Sequence, residues 1–328
     1  MQAVQATAFG DPSVLEVVTL PDPTPAAGQI SIDVTHSAVG LIDLFFRQGR
    51  YKDVAGMPQP PFVPGLEVAG TVRALGEGVT GFTPGERVVT MSAGGTGGYA
   101  TVSVAPAASV VSIEGSGIDP ALAVAAIPNA AMAHVALAHV AHLREGESVL
   151  IHGALGGFAA AFAGIAKQLG ASRVVGTVRG SKLAAAATTK LPYDAIVDSA
   201  DMLAALGEER FDVVIDPVGG DLRTQSLDLM QVGGRLIASG NASEDWGHRL
   251  DSNQLWLRSI AVLGFNSGAF LPTHPQFVRP ALEAALEAVA AGLAETVVDV
   301  LPLSEAAVAH SRMEERAVDG RIVLATGV

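Results

Sequence analysis

The 328-residue chain has no cysteine, which excludes disulfides, thiolate nucleophiles and zinc sites built from cysteine. Charge is also scarce. Only 16% of residues are charged, and 20 Lys and Arg are outnumbered by 33 Asp and Glu, for a formal net charge of -13. The cations are scattered, so the basic footprint needed by a nucleic-acid partner is missing. Met1 to Gly10 carry neither a basic leader nor an apolar signal core, and Gly, Pro, His or charge interrupts the long Ala/Val stretches. The expectation is a cytoplasmic protein without a membrane partner.

What is present is apolar: 49% of residues are hydrophobic, enough in a chain of this length for two cores. The first part shows short β-type runs at Ile30–Val34, Val68–Val72 and Arg87–Val89, separated by Pro and Gly, as in an irregular barrel. From about Pro120, Ala-rich helical stretches alternate with strand-like runs at Ser148–His152, Arg173–Val178, Ala195–Val197, Val213–Asp216, Arg235–Ser239 and Ile260–Gly264. That alternation predicts an α/β fold with a parallel sheet, and six runs fit a doubly wound dinucleotide-binding domain. The expected division is 122–266 for this domain, with 1–121 and 267–328 forming the other.

The strand at Ser148–His152 leads into Gly153-Ala154-Leu155-Gly156-Gly157-Phe158-Ala159 and then a helical stretch. Without Cβ atoms, Gly156 and Gly157 let the backbone approach a pyrophosphate, and the helix amino end offers N–H donors to it. Ala154 and Ala159 replace the outer glycines of G-x-G-x-x-G, so the strict fingerprint is not met. The next strand ends Gly176-Thr177-Val178-Arg179-Gly180-Ser181-Lys182, without the acid that binds the ribose hydroxyls of NAD. Arg179 and Lys182 would instead meet a 2′-phosphate, so NADPH is the expected cofactor; the competing reading makes them solvated cations at a helix start.

Pro64-Gly65-Leu66-Glu67 through Val72, Gly76 to Phe82, Gly85 to Val88, Gly97 to Ala100, Asp216 to Gly220 and Gly320 to Leu324 resemble, in order and spacing, segments of the medium-chain dehydrogenase/reductase superfamily. The resemblance is to its zinc-free quinone oxidoreductase (zeta-crystallin-like) branch. It implies a GroES-like β-barrel catalytic domain, a Rossmann domain and a homodimer. Zinc-binding relatives place ligands where this chain has Gly40, Leu66 and Pro128, none of which binds metal. His134, His139 and His142 lie on an Ala/Val-rich stretch and are read as helix residues rather than ligands.

The resemblance implies hydride transfer from NADPH to a quinone or an α,β-unsaturated carbonyl, small molecules whose conjugation spreads the developing charge. The alternatives are an enoyl-thioester reductase and a nucleotide-binding protein with little turnover. Gly40, Leu41, Asp43 and Tyr51 are the expected substrate-binding residues, Gly40 standing where relatives have Asn. Phe45 replaces a tyrosine proposed as proton donor in some relatives, which leaves Tyr51 as the remaining candidate for a catalytic phenol. Asp43 and Arg47 have the spacing of a helical ion pair, the expected role for both. Expected cofactor contacts come from Ala154, Leu155, Gly156, Gly157, Phe158, Thr177, Arg179 and Lys182. Met132, where relatives carry Thr, and Gly240, Asn241, Phe265, Asn266 and Arg321 complete that set.

Overall fold

The computed structural model describes residues 1–91 and 96–327. The chain forms β1 (Gln2–Ala6), β2 (Leu15–Thr19), β3 (Gln29–Ala38), α1 (Leu41–Arg47), β4 (Val68–Leu75), β5 (Arg87–Thr90), β6 (Val102–Pro106), β7 (Val110–Ser112) and α2 (Pro120–His134). There follow β8 (Ser148–His152), α3 (Ala160–Gln168), β9 (Arg173–Val178), α4 (Leu183–Ala186), β10 (Ala195–Asp198), α5 (Met202–Leu206), β11 (Phe211–Asp216) and α6 (Asp221–Ser226). The last elements are β12 (Met230–Ala238), α7 (Ser252–Arg258), β13 (Ala261–Gly264), α8 (Ser267–Phe270), α9 (Val278–Ala290), β14 (Val298–Pro302), α10 (Ala306–Glu314) and β15 (Arg321–Ala325).

Two compact units result: Met1–Pro128 with Val278–Ala290 and Val297–Val328, and Asn129–Phe277 with Ala291–Thr296. The division falls later than the expected residue 121, because the change in composition at Pro120 marks the start of α2 rather than the start of a unit. Helix α9 likewise belongs to the first unit.

In the first unit, β14-β15-β3-β4-β5-β7 form one sheet, with β6 also paired to β3. Alternation along β3 puts Ile30, Ile32 and Val34 into a core with Val68, Val72, Phe82, Val88 and Val110. A second cluster brings Val39, Leu44 and Tyr99 against Ile322 and Leu324 of β15, so the carboxyl-terminal strand completes this unit.

In the second unit the parallel order is β10-β9-β8-β11-β12-β13, a doubly wound sheet. Its central strands read as continuous apolar runs because both faces are covered; Leu150, Val175, Val214 and Leu236 are wholly buried. Packing on the sheet is uneven. Helix α3 lies so close to Leu293 that a Cβ at Gly164 would meet the Leu293 carbonyl oxygen at 2.2 Å. Beside the short α4, by contrast, a recess of about 310 Å³ is lined by Leu183, Ala186, Thr189, Leu191, Tyr193 and Ala195.

Helix α2 continues through a π-helical turn, so Pro120–Val140 is an unbroken apolar helix of 21 residues, most of it buried in protein. The expectation that every such stretch is too interrupted to span a bilayer is not met in length and composition, although this helix lies in the protein interior. His139 stacks on Phe277 at 3.8 Å between ring centres and meets His134 edge-on.

Candidate functional site

Strand β8 ends in a turn that opens on Gly153 (φ +67°), a backbone conformation that favours glycine. The Gly156 N–H donates to the Gly153 carbonyl at 2.7 Å, and the Ala160 N–H donates to the Gly156 carbonyl at 2.8 Å, which leads into α3. Gly156 is exposed, while Leu155, Gly157 and Phe158 are half-buried. No side chain caps the amino end of α3. An exposed glycine turn before an uncapped helix is a cradle for a phosphate group.

Two side chains hold this turn from behind, Asn129 and Tyr193, and neither is visible in that role from the sequence. The Asn129 amide donates to the Gly157 carbonyl at 2.7 Å. The Tyr193 hydroxyl donates to the Ala154 carbonyl at 3.0 Å, and Ala154 itself is buried. His152 is wholly buried, with Nδ1 2.9 Å from Thr177 Oγ1 and Nε2 2.6 Å from Ser226 Oγ. Because the Ser226 hydroxyl donates to the Leu222 carbonyl at 2.6 Å, it must accept from Nε2–H, which leaves Nδ1 to accept from Thr177. Burial lowers the His152 pKa to about 4, with Asp216 opposing, so the ring stays neutral. Apart from Ser226 to Leu222, each of these contacts joins residues far apart in the chain, a relationship that no local motif carries.

The expected cofactor residues separate into two groups. Arg179 is exposed and Lys182 half-buried, on the turn after β9. Gly240 and Asn241 lie beside the Asp216-to-Gly220 turn: Arg223 donates to Asp216 at 2.5 Å and to the Gly240 carbonyl at 2.8 Å. Thr177 is a correction, since its side chain is wholly buried and its hydroxyl is engaged with His152. Met132 and Phe265 are buried at 6% and 5% exposure, which makes their side chains packing residues rather than ligand contacts. The Asn266 side chain accepts from the Gly268 N–H at 3.0 Å and so caps α8.

In the first unit, Gly40 caps α1 and donates its N–H to Asp43 Oδ2 at 2.9 Å; Leu41 is 40% exposed. Asp43 is almost fully buried and also accepts from the Gly65 N–H and, at 3.4 Å, from the Tyr99 hydroxyl. Burial raises its carboxyl to about 7; the two backbone donors and Arg321 oppose the rise, and Glu67 adds to it. The expected Asp43–Arg47 pair is absent, because the buried Arg47 guanidinium reaches Glu314 of α10 instead. Tyr51 is half-buried, edge-on to Phe45 at 6.3 Å and Phe46 at 5.9 Å. Burial raises the Tyr51 pKa, against the nearby charge of Arg50, and so makes it a weaker acid.

Arg321 is a second correction. It is buried, pairs with Glu67 and donates to the Ala125 carbonyl at 3.1 Å, which leaves its guanidinium engaged within the first unit. Sequence reasoning did not register Asp198, at the end of β10, as a site residue. It is the register partner of Val178 on the neighbouring strand β9, whose own end carries no acid.

Residues 169–324 match the family described as zinc-binding dehydrogenase, and residues 26–115 the alcohol dehydrogenase GroES-like domain. Acryloyl-coenzyme A reductase of Metallosphaera sedula is 30% identical, covering 95% of this chain and 96% of its own. Quinone oxidoreductase of Lama guanicoe is 32% identical over 74% of this chain and 73% of its own. A mycobacterial protein solved in complex with NADPH superposes with a TM-score of 0.84 at 30% identity, with 99% of each chain covered. The chain therefore belongs to the medium-chain dehydrogenase/reductase superfamily, with a GroES-like first domain and a Rossmann-type second one. Within the superfamily it falls in the zinc-free branch of quinone oxidoreductase relatives. Gly40, Leu66 and Pro128 supply no donor for zinc, and among the described residues no group of three His, Asp or Glu is placed to hold a metal.

Proposed function

We propose that the protein is an NADPH-dependent reductase of quinones or α,β-unsaturated carbonyl compounds that works without zinc. The observation that carries this reading is the exposed Gly156 turn before an uncapped helix, with Arg179 on the next strand end. The turn would hold the pyrophosphate through backbone N–H groups, Asn129 and Tyr193 keeping its carbonyls turned away. Arg179 and Lys182 would meet the 2′-phosphate. When bound, the nicotinamide supplies the hydride.

The half-buried rings of Tyr51 and Phe46, edge-on to each other at 5.9 Å and backed by the buried Phe45, suit a flat conjugated acceptor. Asp43, held by two backbone donors, fixes Gly40 at the start of α1 rather than reaching outward. Substrate positioning, more than side-chain proton chemistry, is then the main contribution of this segment. A second reading, an enoyl-thioester reductase, is favoured by the likeness to an acryloyl-coenzyme A reductase.

Loss of nicotinamide absorbance with a panel of quinones, enones and enoyl thioesters separates the two. Consumption with quinones or enones alone supports the first, consumption confined to thioesters the second, and no consumption defeats both. We also propose a homodimer, supported by Trp256 and Leu257, 69% and 66% exposed on α7 before the edge strand β13. A monomer in light scattering would refute it.

A further inference from the structure

Strands β9 and β10 end side by side: Val178 and Asp198 are register partners, and the Ser199 N–H donates to the Val178 carbonyl at 2.7 Å. This register delivers the Asp198 carboxylate to the turn that carries Arg179. Its Oδ2 lies 2.6 Å from the point where a Cβ of Gly180 would stand, so a side chain at 180 would push the carboxylate aside. Oδ1 accepts from the Ala200 N–H at 3.0 Å, whereas Oδ2 has no hydrogen-bond partner among the described residues. The exposed Arg179 guanidinium likewise makes no hydrogen bond or ion pair among them. One open anionic oxygen and one open cation thus stand at the same end of two adjacent strands.

We propose that Asp198 sets the balance between 2′-phosphorylated and unphosphorylated nucleotides, so that this site takes NADH as well as NADPH; this rests on the nucleotide site described above. The chemistry of the two groups is opposed. A 2′-phosphate gains charge-assisted hydrogen bonds from Arg179 and is repelled by the carboxylate. A free 2′-hydroxyl donates to the carboxylate, as it does to the acid on the second strand of NAD-binding domains, here replaced by one from the third. Asp198 therefore weakens the preference that Arg179 creates.

The test is calorimetric titration of the full-length protein with 2′,5′-ADP and 5′-AMP, which carry the discriminating group without requiring turnover. Asp198→Asn keeps an oxygen for the Ala200 N–H and removes the charge; Asp198→Ser is a second, smaller replacement. Both should shift the ratio of dissociation constants toward 2′,5′-ADP by about tenfold, the effect of one partly screened charge. The thermal midpoint of Asp198→Asn should stay within a degree or so of wild type, since a purely structural cap would lower stability and leave the ratio unmoved. If both variants bind the two probes in the wild-type ratio, the proposal fails while the nucleotide site stands. If the wild type binds neither probe, both fail.

Discussion

Asp43 Oδ1 accepts the backbone N–H of Gly65 at 3.0 Å and ties α1 to the loop before β4. Since burial raises this carboxyl to about 7, the folded state holds a proton that the unfolded chain has already released above its ordinary value of 3.8. Its contribution to stability is therefore greatest below pH 4, declines as pH rises toward 7 and is level above that. Asp43→Asn, which does not titrate, should lack this component. The difference in urea midpoint, wild type minus variant, should shrink between pH 5 and pH 8; a constant difference would show that the group titrates normally.

Glu67, in the loop before β4, and Arg321, on β15, form a buried pair. Removing one charge leaves the other without a partner away from water. Glu67→Gln should therefore lose about 3–5 kcal/mol in equilibrium unfolding, and a Glu67→Met/Arg321→Met double variant should lose much less. Equal losses would mean that packing, not charge, governs this position.

Asn129 holds the carbonyl of Gly157 from α2. Asn129→Ala should weaken NADPH binding by about fivefold, the equivalent of one hydrogen bond, with a smaller effect on kcat. Fluorescence titration checks the binding and steady-state kinetics the split. A fall in kcat with unchanged binding would place the effect elsewhere.

His152 is held neutral, its pKa lowered to about 4 from an ordinary 6.5. As pH falls through that window the unfolded chain takes up a proton that the folded one refuses, so stability drops from pH 6.5 to 4. His152→Gln should flatten this drop. Nitrogen NMR of the wild type should find the proton on Nε2, as the Ser226 and Thr177 contacts require; a proton on Nδ1 would overturn the hydrogen-bond assignment.

The second unit was legible in the sequence because its strands are continuous apolar runs between glycine turns: Ser148–His152 and Arg173–Val178 read from the residues are β8 and β9 as observed. Glycine spacing also placed the turn between β8 and α3. The irregular strands of the first unit were partly visible; the reading at Ile30–Val34 covers half of the ten-residue β3. Side-chain partners were not legible. Asp43 and Arg47 share a helical spacing, yet Arg47 turns to Glu314, 267 residues away, because tertiary packing decides which of several allowed contacts forms. Asp198 is hidden from the sequence for the same reason: its place beside the end of β9 follows from strand register, which local pattern does not contain.

The uneven packing about the nucleotide domain's sheet bears on how this chain can change over generations. On the α3 flank, the Leu293 carbonyl leaves no space even for a methyl group at Gly164, so drift there is blocked at the first step. On the α4 flank, the recess beside Ala186 and Leu191 can admit added bulk. Variation in descendants of this sequence should collect on that side, and a library randomised at both places should return survivors almost entirely from one.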